Sequence, residues 1–545
     1  MANDYSLEAG GRLLIALLRC VLVIANILAS GAIVEHATAQ APVEGPDLVN
    51  VDGGSVRGRA AGDVIAFRGI PFAAPPIGEL RWRPPQPPQP WQGIREAAAF
   101  RPDPLQPRSG GSLSFQGSSG NSEDCLYINV WRPAKTDGRP LPVMVWIYGG
   151  GLVRGGASLY PGDFLARHGI VVVTFNYRVG RLGFFAHPAL GRESPDAPRG
   201  NYGYMDQISA LKWVQRNIAA FGGDPQNVTI AGESAGGGAV LVLMTSPLAR
   251  GLFQRSILQS PGIPTPRANV APMRSLAAAE TIAVDYARGL GIEGDDKAAL
   301  AALRALSGEK LIQDTEAYAL AIFGGPDIPG ISHSIIDGRL VVEPPEEALR
   351  AGRQAMVPVI VGANDFDIAI TPLQTKDELF AQFGTLAAQA RTLYDPRGDA
   401  TFEAARQAVV ADLTMVEPSR NLAELVAKSG QPAYFYRFSY VAESQRPTAP
   451  GALHGSEIIY ALDAAAALLR DKATKADLEM ARSASGYWTA FIKTGNPNGD
   501  GRPEWPPYDP ARRDVLNFTN TGVTVGPDPW KERLDLWRAV RESGR

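Results

Sequence analysis

The chain has 545 residues, of which 45% are hydrophobic and 20% charged, the balance of a globular protein with a large core. A formal net charge of −3 leaves no basic footprint, which argues against a nucleic-acid partner. Length alone would allow about three domains, but large α/β enzymes often keep one core with long excursions.

The N-terminus differs in kind from the rest. Arg12 and Arg19 frame an apolar run that continues from Val21 to Ala29, and Ala37, Thr38 and Ala39 form an A-x-A cleavage site before Gln40. The run is short for a membrane span, so residues 1–39 are expected to be a secretory signal peptide, cleaved after Ala39. An uncleaved N-terminal anchor is the alternative. Residues 40–545 are then expected to form one exported domain, secreted or periplasmic, with no membrane association. Of the two cysteines, Cys20 falls in the leader and Cys125 is left alone. The mature chain should therefore have no internal disulfide, and Cys125 should be a buried small hydrophobe.

Residues 40–120 are rich in loops and proline. Gly54 to Gly58 and Val64 to Ile70 read as short strands, expected to pair as an antiparallel hairpin at one edge. Ser109 to Gly120, rich in Gly and Ser, reads as a surface loop. Leu126 to Trp131 alternates as a strand should. Pro142 to Tyr148 and Ile170 to Tyr177 are continuous apolar runs, the mark of strands buried on both faces. Ile208, Leu211, Val214 and Ile218 recur at helical spacing, and Gly222-Gly223 stops that helix. Further strands are expected at Val228–Ile230, Arg255–Gln259, Val357–Val361 and Tyr434–Tyr440, then a last helix at Tyr487–Ile492 and a last strand at Val515–Phe518. Helical, alanine-rich stretches near 264–349 and 370–430 read as cap insertions, because strands resume after each. Strands alternating with helices imply an α/β fold with a mostly parallel sheet flanked by helices.

Gly232, Glu233, Ser234, Ala235 and Gly236 stand directly between an apolar strand and an apolar helix. In that context G-x-S-x-G is a nucleophile elbow, with glycines where strand and helix crowd together. Elsewhere the same five residues would be an ordinary glycine-rich turn. A serine hydroxyl needs a base, and histidine is the usual one. Among five histidines, His36 lies in the leader, His168 precedes a strand on the far side, and His187 and His333 sit in loops. His454 follows a predicted strand and so falls at the same sheet edge as Ser234. An acid should lie between Ser234 and His454 in the chain. Asp365 and Asp367 both follow a predicted strand there, and position alone does not choose between them or exclude a turn-capping role for either. Gly149, Gly150 and Gly151 follow another buried strand and offer unobstructed N–H groups for an oxyanion, to which Ala235 would add one. A phosphate-binding turn is discounted, because no G-x-G-x-x-G spacing or Walker lysine follows.

These residues resemble the type-B carboxylesterase family, which includes cholinesterases and the non-catalytic neuroligins. The matching stretches include Phe67 to Ala73, Glu123 to Asn129, Trp146 to Gly151, Asn176 to Gly180, Gly222 to Gly236, Phe253 to Ser260, His454 to Glu457 and Trp488 to Pro510. The resemblance implies an α/β-hydrolase fold and a serine ester hydrolase working through an acyl-enzyme on small-molecule esters, without metal or cofactor. It also implies Ser234 as nucleophile, His454 as base, and Gly150, Gly151 and Ala235 as oxyanion donors, with Glu233, Ser260 and Glu457 supporting them. A neuroligin-like binding module and an interfacial lipase are the alternatives.

Three departures stand out. Gly362 to Ile368 occupies the stretch that carries the family's acid, and its register places Asp367 where the family has a longer glutamate. Cys125 matches a cysteine that usually pairs upstream, but Pro104, Leu105 and Gln106 stand where that partner would be. Leu152 replaces a common aromatic after Gly151, and Arg154 follows close behind. A guanidinium there could pair with a second carboxylate on the substrate, which points to esters of polycarboxylic acids. A solvated loop arginine is the plainer alternative.

Overall fold

A computed structural model describes residues 47–107, 120–262, 273–313 and 334–543. Residues 1–39, expected to be a leader, His333 and nearly all of the Gly/Ser-rich stretch lie outside the described residues. Among the described residues, eleven strands make the central sheet. The first five are β1 (Arg59–Ala61), β2 (Val64–Pro71), β3 (Tyr127–Pro133), β4 (Leu141–Ile147) and β5 (Val171–Phe175). Next come β6 (Gly223–Glu233), β7 (Arg255–Gln259) and β8 (Val359–Asn364). The last three are β9 (Ala433–Phe438), β10 (Asp514–Thr519) and β11 (Gly522–Pro527). Their spatial order is β11-β10-β9-β8-β7-β6-β4-β5-β3-β2-β1. From β10 to β5 every neighbouring pair is parallel. The strands beyond β5 and beyond β10 are antiparallel.

The central strands are β-branched and aromatic because helices cover both faces and leave no solvent side. Every residue of β5, β8 and β9 is buried. The helices that matter for the site are α1 (Tyr202–Asn217), α2 (Ala235–Thr245), α3 (Phe402–Ala411), α4 (Glu417–Lys428), α5 (Lys475–Thr494) and α6 (Lys531–Ser543). Ile208, Leu211 and Val214 of α1 are buried. A 3-10 turn then ends at Gly222, whose φ of 80° closes the helix as only glycine does without strain. Helices Leu276–Gly289, Lys297–Ala305, Gly308–Ile312 and Pro345–Arg350 fall in the first inserted stretch. The second holds Lys376–Ala381, Ala387–Tyr394, α3, a π segment at Asp412–Val416 and α4. No helix among the described residues is long and apolar enough to cross a membrane.

Two expectations need correcting. Gly54–Arg57 does not pair with Val64–Pro71; it joins Leu48–Val51 and Ile94–Glu96 in a separate small sheet. The hairpin partner of β2 is β1, the exposed Arg59–Ala61, which carries no apolar pattern to reveal it. The chain also does not close at Phe518. β11 returns antiparallel to β10, and α6 packs Leu536, Trp537 and Val540 on Phe383 and Val409.

Candidate active site

The elbow is a tight junction between β6 and α2. Ser234 sits at φ 56° and ψ −127°, a region that β-carbon sterics disfavour. A Cβ on Gly236 would lie 2.1 Å from the Ile147 carbonyl oxygen, and one on Gly232 would lie 2.6 Å from the Gly236 carbonyl carbon. Both positions therefore require glycine on steric grounds. The strained turn is tied at both ends: Ser234 N–H donates to Gln259 O at 2.9 Å, and Gly238 N–H donates to Ser234 O at 2.9 Å.

The glycine loop after β4 presses on this turn. A Cβ on Gly149 would meet Glu233 O at 2.7 Å and Ser234 Cβ at 2.9 Å. Gly150, Gly151 and Leu152 run at φ 94°, 67° and 61°, and Val153 and Arg154 N–H both donate to Gly150 O at 3.1 Å. Ala235 opens α2, where N–H groups of the first turn lack helical acceptors. The Leu152 side chain is buried in the main core. The Arg154 side chain is partly buried, with its Cγ 3.0 Å from the place a Gly150 Cβ would take.

His454 is carried by the loop after β9. Asp367 Oδ1 faces His454 Nδ1 at 2.5 Å. The same carboxylate accepts from Ser260 Oγ at 2.7 Å, Ile368 N–H at 2.8 Å and Asn364 N–H at 3.1 Å. Asp365 is engaged elsewhere, taking the Ala452 N–H at 2.8 Å. Behind the ring, Asn364 Nδ2 reaches Glu457 Oε2 at 2.6 Å and Leu453 O at 2.7 Å, and Gln259 Nε2 reaches Glu457 Oε1 at 3.0 Å. Asn364 and Gln259 escaped the sequence reading, although Asn364 lies in the matched acid stretch and Gln259 in the matched stretch before Ser260. His168 pairs with Asp463 at 2.8 Å, and His187 caps the helix Pro188–Glu193.

His454 Nε2 makes no hydrogen bond; Glu233 Oε1 stands 3.1 Å away, off the line of one. Burial by itself would lower the His454 pKa, but the carboxylates of Glu233 and Asp367 outweigh it and push the ring up to about 10. Burial pushes Glu233 up to about 8, with the imidazolium opposing and Glu457 and Asp367 adding to it. Burial would raise Asp367, yet His454 and the donated hydrogen bonds keep it below the usual aspartate value. The site can thus hold an anion on backbone N–H groups beside a strained serine, next to an imidazole with an ionised carboxylate behind it. Among the described residues no group of His, Cys, Asp and Glu is arranged to hold a metal ion.

The carboxylesterase family profile matches residues 45–537. A fumonisin B1 esterase from Sphingopyxis macrogoltabida is 37% identical over 517 residues, 90% of each chain. Liver carboxylesterase 1 from Oryctolagus cuniculus is 35% identical, over 90% of this chain and 92% of its own. The solved structure of a PNB esterase superposes with a TM-score of 0.77 at 30% identity, covering 90% of this chain and 99% of that one. An α/β-hydrolase sheet with a strained serine at its centre, and likeness along nearly all of its length to esterases, show that this chain belongs to the carboxylesterase family and is a carboxylic ester hydrolase.

Proposed function

We propose that the chain cleaves carboxylic esters through an acyl-enzyme, with Ser234, His454 and Asp367 as a triad. The observation that carries this is the 2.5 Å contact of Asp367 with His454 beside the strained Ser234 elbow. His454 Nε2 takes the Ser234 proton as Oγ attacks the ester carbonyl. Asp367 holds Nδ1–H and stabilises the imidazolium. The tetrahedral oxyanion rests on the N–H groups of Gly150, Gly151 and Ala235. His454 returns the proton to the leaving alcohol, and water repeats the cycle on the acyl-enzyme. Ser260 and Glu457 support these groups without touching the reacting atoms, while Glu233 stands 3.1 Å from His454 Nε2. His454 Nε2 has no hydrogen-bond partner of its own, and catalytic bonds of this kind often form only with substrate present.

Ser234→Ala is expected to lower kcat by roughly a millionfold, the scale seen when a triad serine is removed, with an unchanged circular-dichroism spectrum. Turnover near the parent rate in a folded Ser234→Ala protein would overturn the triad. The substrate side of the proposal is an ester whose acid part carries a further carboxylate. It rests on the Arg154 stem lying against Gly150, next to the proposed oxyanion site. Fumonisin B1, the ester named in one relative, belongs in the first panel tested. If Arg154→Ala leaves the rate ratio of charged-acid to neutral-acid esters unchanged, that preference is wrong. Export follows from the leader: the chain acts outside the cytoplasm as one domain, residues 40–545. N-terminal sequencing of the mature protein should begin at Gln40.

A further inference from the structure

The acid turn after β8 is gripped from outside the site by one continuous helical stretch. Gln407 Nε2 in α3 donates to Asp367 O at 2.6 Å. Thr414 Oγ1 in the π segment shares its one proton between Val410 O of its own helix at 2.8 Å and Ile368 O at 3.1 Å. Arg406 Nη1 donates to Ala369 O. Asp367 O and Ala369 O thus each take a side-chain donor from residues 406–407, and Ile368 O shares the Thr414 hydroxyl with the helix itself. The π geometry at Asp412–Val416 shifts the helix by part of a turn where Thr414 must face the acid turn.

The opposite side is tied to the histidine loop. Asp365 accepts the Ala452 N–H, Phe366 N–H donates to Ala452 O at 3.1 Å, and Phe366 bridges Leu453 in parallel register. A Cβ on Gly451 would stand 2.8 Å from Phe366 Cβ, so the two segments meet at a separation only glycine permits.

We propose that Gln407, with Thr414 and Arg406, is a positioning residue that holds the acid turn against the histidine loop, so that the short Asp367 side chain reaches His454. This rests on the triad reading above. An aspartate is one methylene shorter than a glutamate, and misplacement on that scale is costly to a catalytic constellation. The clamp closes the gap through the backbone. The charged groups facing His454 are Glu233 from the elbow, Asp367 from the acid turn and Glu457 from its own segment. Of these, only Asp367 moves when the clamp is released.

The test compares Gln407→Met, Asp367→Glu, the double variant and Ser234→Ala, each as the full chain. Gln407→Met keeps the length of the side chain and removes the donor. It is expected to lower kcat roughly tenfold to a hundredfold, with KM within about twofold. The acid limb of kcat/KM should move to lower pH, because a withdrawn Asp367 stabilises the imidazolium less. Asp367→Glu alone should also lower kcat, since its longer carboxylate overfills the clamped gap. Adding Asp367→Glu to Gln407→Met should then restore activity above that of Gln407→Met, a coupling that independent sites do not show. A fall explained only by the folded fraction, with the acid limb fixed and the two changes additive, overturns the clamp. An active Ser234→Ala protein instead overturns the triad, so the two failures are distinguishable.

Discussion

Glu233 and Asp367 press on one imidazole from opposite sides, and the balance between them sets where the His454 ring gives up its proton. Both raise its pKa, so the acid limb of kcat/KM is expected above the ordinary histidine value of 6.5. Glu233→Gln removes one of the two carboxylates and should move that limb to lower pH, read from rate profiles at subsaturating ester. The same shifts fix the sign of the stability change. Asp367 is depressed in the folded state, so its contribution is present above the unfolded value of 3.8 and lost as pH falls through the lower folded one. His454 is raised, so its contribution is present below 6.5 and lost as pH climbs through about 10. Gly236 carries a steric requirement: a methyl there meets the Ile147 carbonyl at 2.1 Å. Gly236→Ala should therefore cost at least about 1–3 kcal/mol, read as a lower urea midpoint.

At the scale of elements, α5 shows how local chemistry and tertiary packing share the work. Thr474 and Asp477 form a capping box at its start. Asp477 also accepts from Tyr440 OH at 2.8 Å and Glu443 N–H at 3.2 Å, tying the helix to the segment that leads to His454. Thr474→Ala should cost about 1 kcal/mol, the usual worth of a cap. Asp477→Ala strands the buried Tyr440 hydroxyl together with the partly buried Glu443 and Thr474 N–H groups and should cost on the order of 3 kcal/mol. Equal urea midpoints for the two variants would contradict this ranking. Elements buried on both faces, such as β4 and β5, were legible as apolar runs. β1 was not, because Arg59, Ala60 and Ala61 are exposed and are ordered by pairing alone. Gly54–Arg57 was assigned to the wrong partner, since a four-residue strand carries no mark of which edge it joins.

Over the whole molecule, buried arginines join segments distant in the chain. Arg81 pairs with Glu123 at 2.6 Å and donates to Arg304 O and Leu306 O at 3.0 and 2.7 Å. Arg181 donates to Leu311 O and Gln313 O at 2.8 and 2.7 Å. These contacts dock the inserted helices beside the free, buried Cys125. Beneath them Arg178 meets Asp206 at 2.7 Å with both side chains shielded from solvent. Arg178→Met leaves that carboxylate uncompensated and should cost about 3–5 kcal/mol, measured by chemical denaturation. Burial also pushes the Cys125 thiol up, so a disulfide reagent should react with Cys125 only once denaturant unfolds the chain.

The sequence by itself determined the sheet core, the elbow and the family, because apolar runs and glycines confined by backbone contacts leave a local mark. Position alone left Asp365 and Asp367 level, since both follow the same strand, and only the register of the family resemblance favoured Asp367. Only the tertiary structure turned Asp367 to His454 and Asp365 to the Ala452 N–H. It alone brought Gln407, forty residues along the chain, onto the acid turn. Such a contact depends on how an inserted helix docks, and docking is fixed by packing between distant segments rather than by any local pattern.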